Sequence, residues 1–240
     1  MRKLPRIYTS NPYLAQLKVG VLSSCAVFGL LLARIIVSGS VVYLFLLWNI
    51  VLAWVAWGLG VWLVSVLKGK TILVYKVALS VVWLLFLPNT FYLLTDLIHA
   101  VFGYDKVGGF AGWQLPYIAD TSIIFVDLAI LMLATWVGWL LGIASMRTVY
   151  GYAKTKLSSS RSLTLVFILS ASSGYGIYLG RVPRWNSWDV VHRPFSLLAD
   201  IGDTFIHPFD HVEAYIFSGV FFVMINVVFW SFEILHLSRD

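Results

Sequence analysis

Apolar residues in this chain run in long blocks, separated by short stretches in which charges, prolines and glycines collect. Six blocks qualify as membrane spans: Leu17–Val37, Val41–Leu67, Leu73–Leu94, Ile118–Ile143, Leu163–Gly180 and Ala214–Leu235. At about 1.5 Å per residue, each can cross a hydrocarbon core about 30 Å thick as a helix. The pattern predicts an all-α, polytopic six-helix transmembrane bundle over residues 17–235, with tails at 1–16 and 236–240. The opening, MRKLPRIYTSNPYLAQLK, has the basic character of a signal n-region. The apolar run after it is too long for a usual h-region and has no clear A-x-A site, so it reads as an uncleaved first helix.

The last long link contains RPFSLLADIGDTFIHPFDH, with Phe195, Leu198, Ile201 and Phe205 near helical spacing and Pro194 suited to a first turn. This predicts a short amphipathic helix lying on the outer membrane interface. A loop packed over the helix ends accounts for the same residues. No internal repeat is evident.

Composition supports the membrane reading: 60% of residues are hydrophobic and 12% charged, against roughly 45–50% and about 25% in soluble domains. The net charge of +6 does not point to nucleic acid, because the basic residues flank the apolar blocks. Of the 17 Lys and Arg, 12 fall on the side of the two termini and five on the other. The positive-inside rule then expects a cell-membrane protein with both termini cytoplasmic. Cys25 is the only cysteine and lies in an apolar run, which favours a buried small hydrophobe.

Most candidate chemistry gathers at the outer end. In LFLPNTFYLLTDLIH, Pro88 predicts a kink that frees carbonyls. Asn89, Tyr92, Asp96 and His99 then follow at steps of three, four and three, on one helical face. Asp120 and Asp127 share a face of the fourth span. A carboxylate as deep as Asp127 needs a partner, protonation or water, and Asn49 of the second span should lie at similar depth. Ser172, Gly176 and Gly180 make a small-residue stripe that lets another helix approach. GRVPRWNSWDVVHRP, from Gly180 to Pro194, brings Arg181, Arg184, Asn186, Asp189 and His192 together. Asn186 with Asp189 resembles a capping box, while the arginines suit protein carboxylates or a phosphate group. With Arg181 and Arg184 a turn apart, the outer end of the fifth span should bring one of them close to Asp96, Asp120 or Asp127, lining an outward-facing pocket. Structural readings (an interfacial helix end, a capped turn) stand beside each of these.

Metal ligation is considered for Asp96 with His99 and for His207 with His211. Neither has the H-E-x-x-H form and Pro208 disturbs the second, so no metal and no cofactor are assigned.

LPNTFYLLTDLIH and GIYLGRVPRWNSWD together resemble the bacterial integral-membrane family catalogued as domain of unknown function 1361. Phe91 stands where that family's pattern favours Pro. The resemblance implies a multi-spanning architecture and groups Asn89, Asp96, Arg181, Arg184, Asn186 and Asp189 in one signature. It implies no activity.

Three functions fit these residues. The first is binding or processing of a lipid-linked or phosphate-bearing molecule at the outer leaflet. Arg181, Arg184, Asn89, Asp120, Asp127, Asn186 and His192 would contact the ligand, and Asp96, His99 and Asp189 are the proton-transfer candidates. The second is a transporter or proton-coupled carrier using Asp127. The third is an accessory membrane assembly protein. The expected partners are the bilayer and an anionic lipid or phosphate-bearing ligand.

Overall fold

The computed structural model describes residues 12–99 and 121–237. α1 (Pro12–Ser38) leads through a 3-10 turn, Val42–Leu44, into α2 (Phe45–Lys68). α3 (Leu73–Phe86), the short α4 (Pro88–Tyr92) and a 3-10 segment over Leu93–Leu97 form one continuous span. α5 (Thr121–Lys154) and α6 (Ser159–Arg181) follow. Two short helices, α7 (Asp189–His192) and α8 (Pro194–Ile206), precede α9 (Val212–Leu237). Six of these segments are long and apolar enough to cross a membrane, and no strand occurs among the described residues. The protein is an all-α polytopic bundle.

Its spans match the apolar blocks, with shifted ends. α5 runs on to Lys154, well past Ile143, although hydropathy falls at Arg147. Beyond that point Val149 and Tyr150 stay buried against Phe229, and Arg147 pairs with Glu233 at 3.3 Å. The predicted start of this span at Ile118, the link from Ala100, and both terminal tails lie outside the described residues. α6 starts earlier than predicted because the Ser158 hydroxyl accepts the Arg161 N–H, an N-cap.

α5 is apolar all round and occupies the centre, touching α1, α2, α4, α6 and α9. One buried cluster joins Val27 and Leu31 to Leu46, Ile50 and Ile130. A second joins Trp83, Phe91, Met146, Leu169, Ile177 and Phe229. Among its described residues α1 buries only a narrow stripe, Gly20, Val27, Leu31 and Arg34. Cys25 falls off that stripe and is exposed, not buried as its sequence context suggested. Close packing of α4 on α5 depends on two glycines one turn apart. A Cβ at Gly138 would strike the Thr90 carbonyl, and one at Gly142 the Thr90 hydroxyl and the Phe91 ring.

Candidate functional site

The site lies at the end of the bundle opposite the termini and is built around Pro88. Proline has no N–H to give the preceding turn, and carbonyls there find side-chain partners. The Ser187 hydroxyl donates to the Leu85 carbonyl (3.2 Å), Asn89 Nδ2 to the Phe86 carbonyl (3.1 Å), and the Thr90 hydroxyl to the Leu87 carbonyl (2.7 Å). Asn89 Nδ2 also donates to Ser187 Oγ at 3.2 Å. Trp188 meets Phe86 edge to face, with centroids 5.4 Å apart. The stretch after α6 is thereby fastened to the kink. Ser187 was not among the sequence candidates; the freed carbonyls of the Pro88 turn were the available signal.

Asp96 lies farther along the same span and is buried. Asn49 Nδ2 of α2 donates to Asp96 Oδ2 at 2.9 Å. Arg181, at the last position of α6, brings Nη1 to 3.5 Å from Asp96 Oδ1, and His99 Nε2 stands 4.0 Å from the same oxygen. His99 also meets the Phe45 ring edge-on at 5.4 Å. Removing one partner from a buried pair leaves an uncompensated charge, a loss of about 3–5 kcal/mol. Arg181 Nη2 is buried without a hydrogen-bond partner among the described residues.

Asp127 is 3% exposed and faces the bundle, but its partner is not Asn49. Arg34 of α1 holds it with two bonds, Nε to Oδ1 at 2.5 Å and Nη2 to Oδ2 at 3.1 Å. Arg34 Nη1 donates to Ser38 Oγ and to the Ser40 carbonyl, and the guanidinium sits 4.9 Å over the Tyr43 ring. On sequence alone Arg34 counted only as a basic residue flanking a span. Its place near the end of α1 puts it level with the first turns of α5.

Between α2, the α3–α4 span, α6 and α8 lies a cavity of about 600 Å³. Trp48, Leu52, Leu84, Pro88, Tyr92, Tyr175 and Leu179 make most of its wall, with Leu197, Ile201 and Phe205 of α8. Asn49, Asn89, Ser172, Asn186 and Ser187, with the Tyr92 and Tyr175 hydroxyls and the Trp185 indole, are its polar groups, and no charged residue lines it among those described. The predicted stripe of Ser172, Gly176 and Gly180 forms one wall, where a Cβ at Gly176 would strike the Pro88 ring.

Other sequence candidates are placed elsewhere. Asp189 accepts the Asn186 backbone N–H at 2.7 Å and binds Arg193 at 3.0 Å. Arg193 lies 4.8 Å over the Trp185 ring. The Asn186 backbone N–H, helped by Arg193, holds the Asp189 carboxyl below the usual carboxylate range. This is the carboxylate half of the expected capping box; α7 has no side-chain N-cap, so the Asn186 half is not formed. Asp189 is therefore tied into its own loop, apart from the Asp96 network. Arg184 does not sit one turn from Arg181, because α6 ends at Arg181. Arg184 turns into the left-handed region (φ 62°), is exposed, and makes no ion pair among the described residues. His192 is exposed too, and neither it nor either arginine lines the cavity. Asp120 lies outside the described residues. His207 and His211 both bond Asp203, each at 2.8 Å.

These features define a polytopic α-helical membrane protein with a largely apolar cavity and a buried ionic cluster at one end of its bundle. The chain belongs to the family described as Protein of unknown function (DUF1361), whose model matches residues 48–228 and so includes every residue lining the cavity. Arg34 lies outside that match. No curated protein and no solved structure matches the chain.

Proposed function

We propose that this protein binds a lipid-like amphiphile in the cavity between α2, α4 and α6. The carrying observation is the cavity itself: its volume suits a small-molecule site, and its wall is mainly hydrocarbon and aromatic with a few polar groups. α8 adds a roof that is apolar on both sides. Leu197 and Ile201 line the cavity, while Phe195 and Leu198 are exposed, as expected of a helix resting on a membrane interface. The basic asymmetry supports an orientation with both termini in the cytoplasm of a cell-membrane protein and the cavity in the outer leaflet.

Binding is favoured over processing because Asp96, His99 and Asp189 do not line the cavity. It is favoured over a proton-coupled carrier because the Asp127 carboxylate is already engaged by Arg34 through both oxygens. Native mass spectrometry of the full chain released from lipid nanodiscs tests the reading. Ala171→Trp and Ser172→Trp each add bulk at the cavity wall. Both should lose the amphiphile that the parent retains, with little change in thermal midpoint. Equal retention by parent and both variants would refute the assignment.

A further inference from the structure

The head-group chemistry of the ligand follows from which atoms the cavity's polar side chains have left to offer. Asn49 Nδ2 donates to the Asp96 carboxylate, an acceptor, which fixes the orientation of that amide. Both hydrogens of Asn89 Nδ2 are used, one on the Phe86 carbonyl and one on Ser187 Oγ. The Ser187 hydroxyl gives its proton to the Leu85 carbonyl, and the Ser172 hydroxyl gives its own to the Ile168 carbonyl at 2.7 Å. The Trp185 indole N–H is spent on Asp200 at 2.8 Å. Asn186 is exposed, and its bond to Asp189 is made by the backbone N–H. Asn89, Ser187 and Ser172 have only acceptors left, and Asn49 keeps a single Nδ2 hydrogen, so the chief free acceptors at the kink are Oδ1 of Asn49 and Oδ1 of Asn89. Neither oxygen has a partner among the described residues, and neither is occluded. The Tyr92 hydroxyl rotates to suit either role, whereas the Tyr175 hydroxyl is buried and has no hydrogen-bond partner among the described residues.

We propose that the cavity selects an amphiphile whose uncharged head donates hydrogen bonds, such as a glyceryl or sugar hydroxyl, and discriminates against a phosphate head. A phosphate would set its acceptor oxygens against these amide oxygens, and no Lys or Arg lines the cavity to balance its charge. An ammonium head finds no carboxylate there either, since Asp96 lies outside the lining and is shared by Asn49 and Arg181. The arginines of the Gly180–Pro194 stretch, which suggested an anionic ligand, are occupied or outside the cavity. This inference rests on the amphiphile reading above.

The test uses the full chain in phosphatidylcholine nanodiscs, whose lipid head has no hydrogen-bond donor. Three probes share one oleoyl chain: monooleoylglycerol, its dimethyl ether, and oleoyl lysophosphatidic acid. Bound fractions are read by native mass spectrometry across a titration. Two hydrogen bonds of ordinary net strength predict that monooleoylglycerol binds roughly tenfold tighter than the dimethyl ether. The lysophosphatidic acid should be weaker by at least as much. Either competitor binding as tightly as monooleoylglycerol overturns the head-group rule. If all three bind alike and both Ala171→Trp and Ser172→Trp abolish binding, the amphiphile reading stands and the rule falls. If none of the three binds the parent protein, both fall.

Discussion

The Arg34–Asp127 pair offers the sharpest energetic test of how α1 is held to the bundle. Both side chains are almost fully buried, and two charge-assisted hydrogen bonds join them. At about 1.5–3 kcal/mol for each such bond, the pair's two bonds sum to several kcal/mol. Removing one partner strands the other as a buried charge, which typically costs about 3–5 kcal/mol. Asp127→Asn and Arg34→Met should therefore each destabilise by about that amount. The double variant Arg34→Met with Asp127→Leu should recover most of the loss, since an apolar pair of similar volume leaves no buried charge. Arg34→Lys should fall between, because an ammonium cannot reproduce the planar fork or its placement over Tyr43. Reversible unfolding of detergent-solubilised protein across a mixed-micelle series measures all four together with Asp127→Leu alone, which closes the cycle with Arg34→Met and isolates the coupling. If Asp127→Asn costs less than about 1 kcal/mol, or if the single losses simply add in the double variant, the pair is not the buried lock described and the reasoning fails.

Three further outcomes are expected. In a Cys25→Ser background, a cysteine at Ser159 should be shielded from an impermeant thiol reagent in intact cells and one at Ser196 should react, both sites being exposed, whereas Thr204 is buried and unsuitable as a reporter; the reverse pattern overturns the proposed orientation. Gly138→Ala should lower stability by about 1–3 kcal/mol through its collision with the Thr90 carbonyl, while Gly151→Ala, which meets nothing within 4 Å, should be neutral or slightly stabilising; equal effects in unfolding assays would contradict the packing. Hydrogen bonds from His211 and His207 hold the Asp203 carboxyl below its ordinary value of 3.8. The stability they lend the α8–α9 turn is present above that value and disappears as pH falls through the lower folded-state value. The difference in thermal midpoint between the parent and Asp203→Asn should shrink over that acidic range, and a difference that grows there would refute the linkage.

The spans were legible because hydropathy in a bilayer is a one-dimensional property. Twenty apolar residues in a row must be accommodated whatever they touch. The partners were not legible, because they depend on how helices rotate and which depths coincide. The cost of a charge in hydrocarbon called for Asp127 to reach Asn49 or another polar side chain; that side chain is Arg34, and Asn49 holds Asp96 instead. Nothing along the chain reveals that the terminal turn of α1 meets α5, or that α2 turns Asn49 toward the kinked span. Arg181 and Asp96 were joined by an argument that needed only the end of one helix and the depth of another, and they do meet. Arg184 failed the same argument because Val182 and Pro183 end the helix and the chain reverses through a left-handed residue.

The cavity is built around Pro88, which the sequence marks as a kink that frees carbonyls. In an apolar medium, carbonyls deprived of helical partners must find donors on protein, and the nearest donors lie on Asn89 and on the loop after α6. Ser187 answers that demand at Leu85, and its attachment draws the loop over the kinked helix. α7 and α8 follow from there, so the cavity's roof is anchored to its wall at Ser187, with Trp188 packed on Phe86 and Phe205 on Tyr175 beside it. The same proline ring sits where a side chain at Gly176 would be, which brings α6 close at this level while the larger Tyr175 and Leu179 stand around the space. Satisfying the kink also consumes the donors of Asn89 and Ser187. Much of the acceptor character that the cavity presents is therefore a by-product of repairing the helix at Pro88.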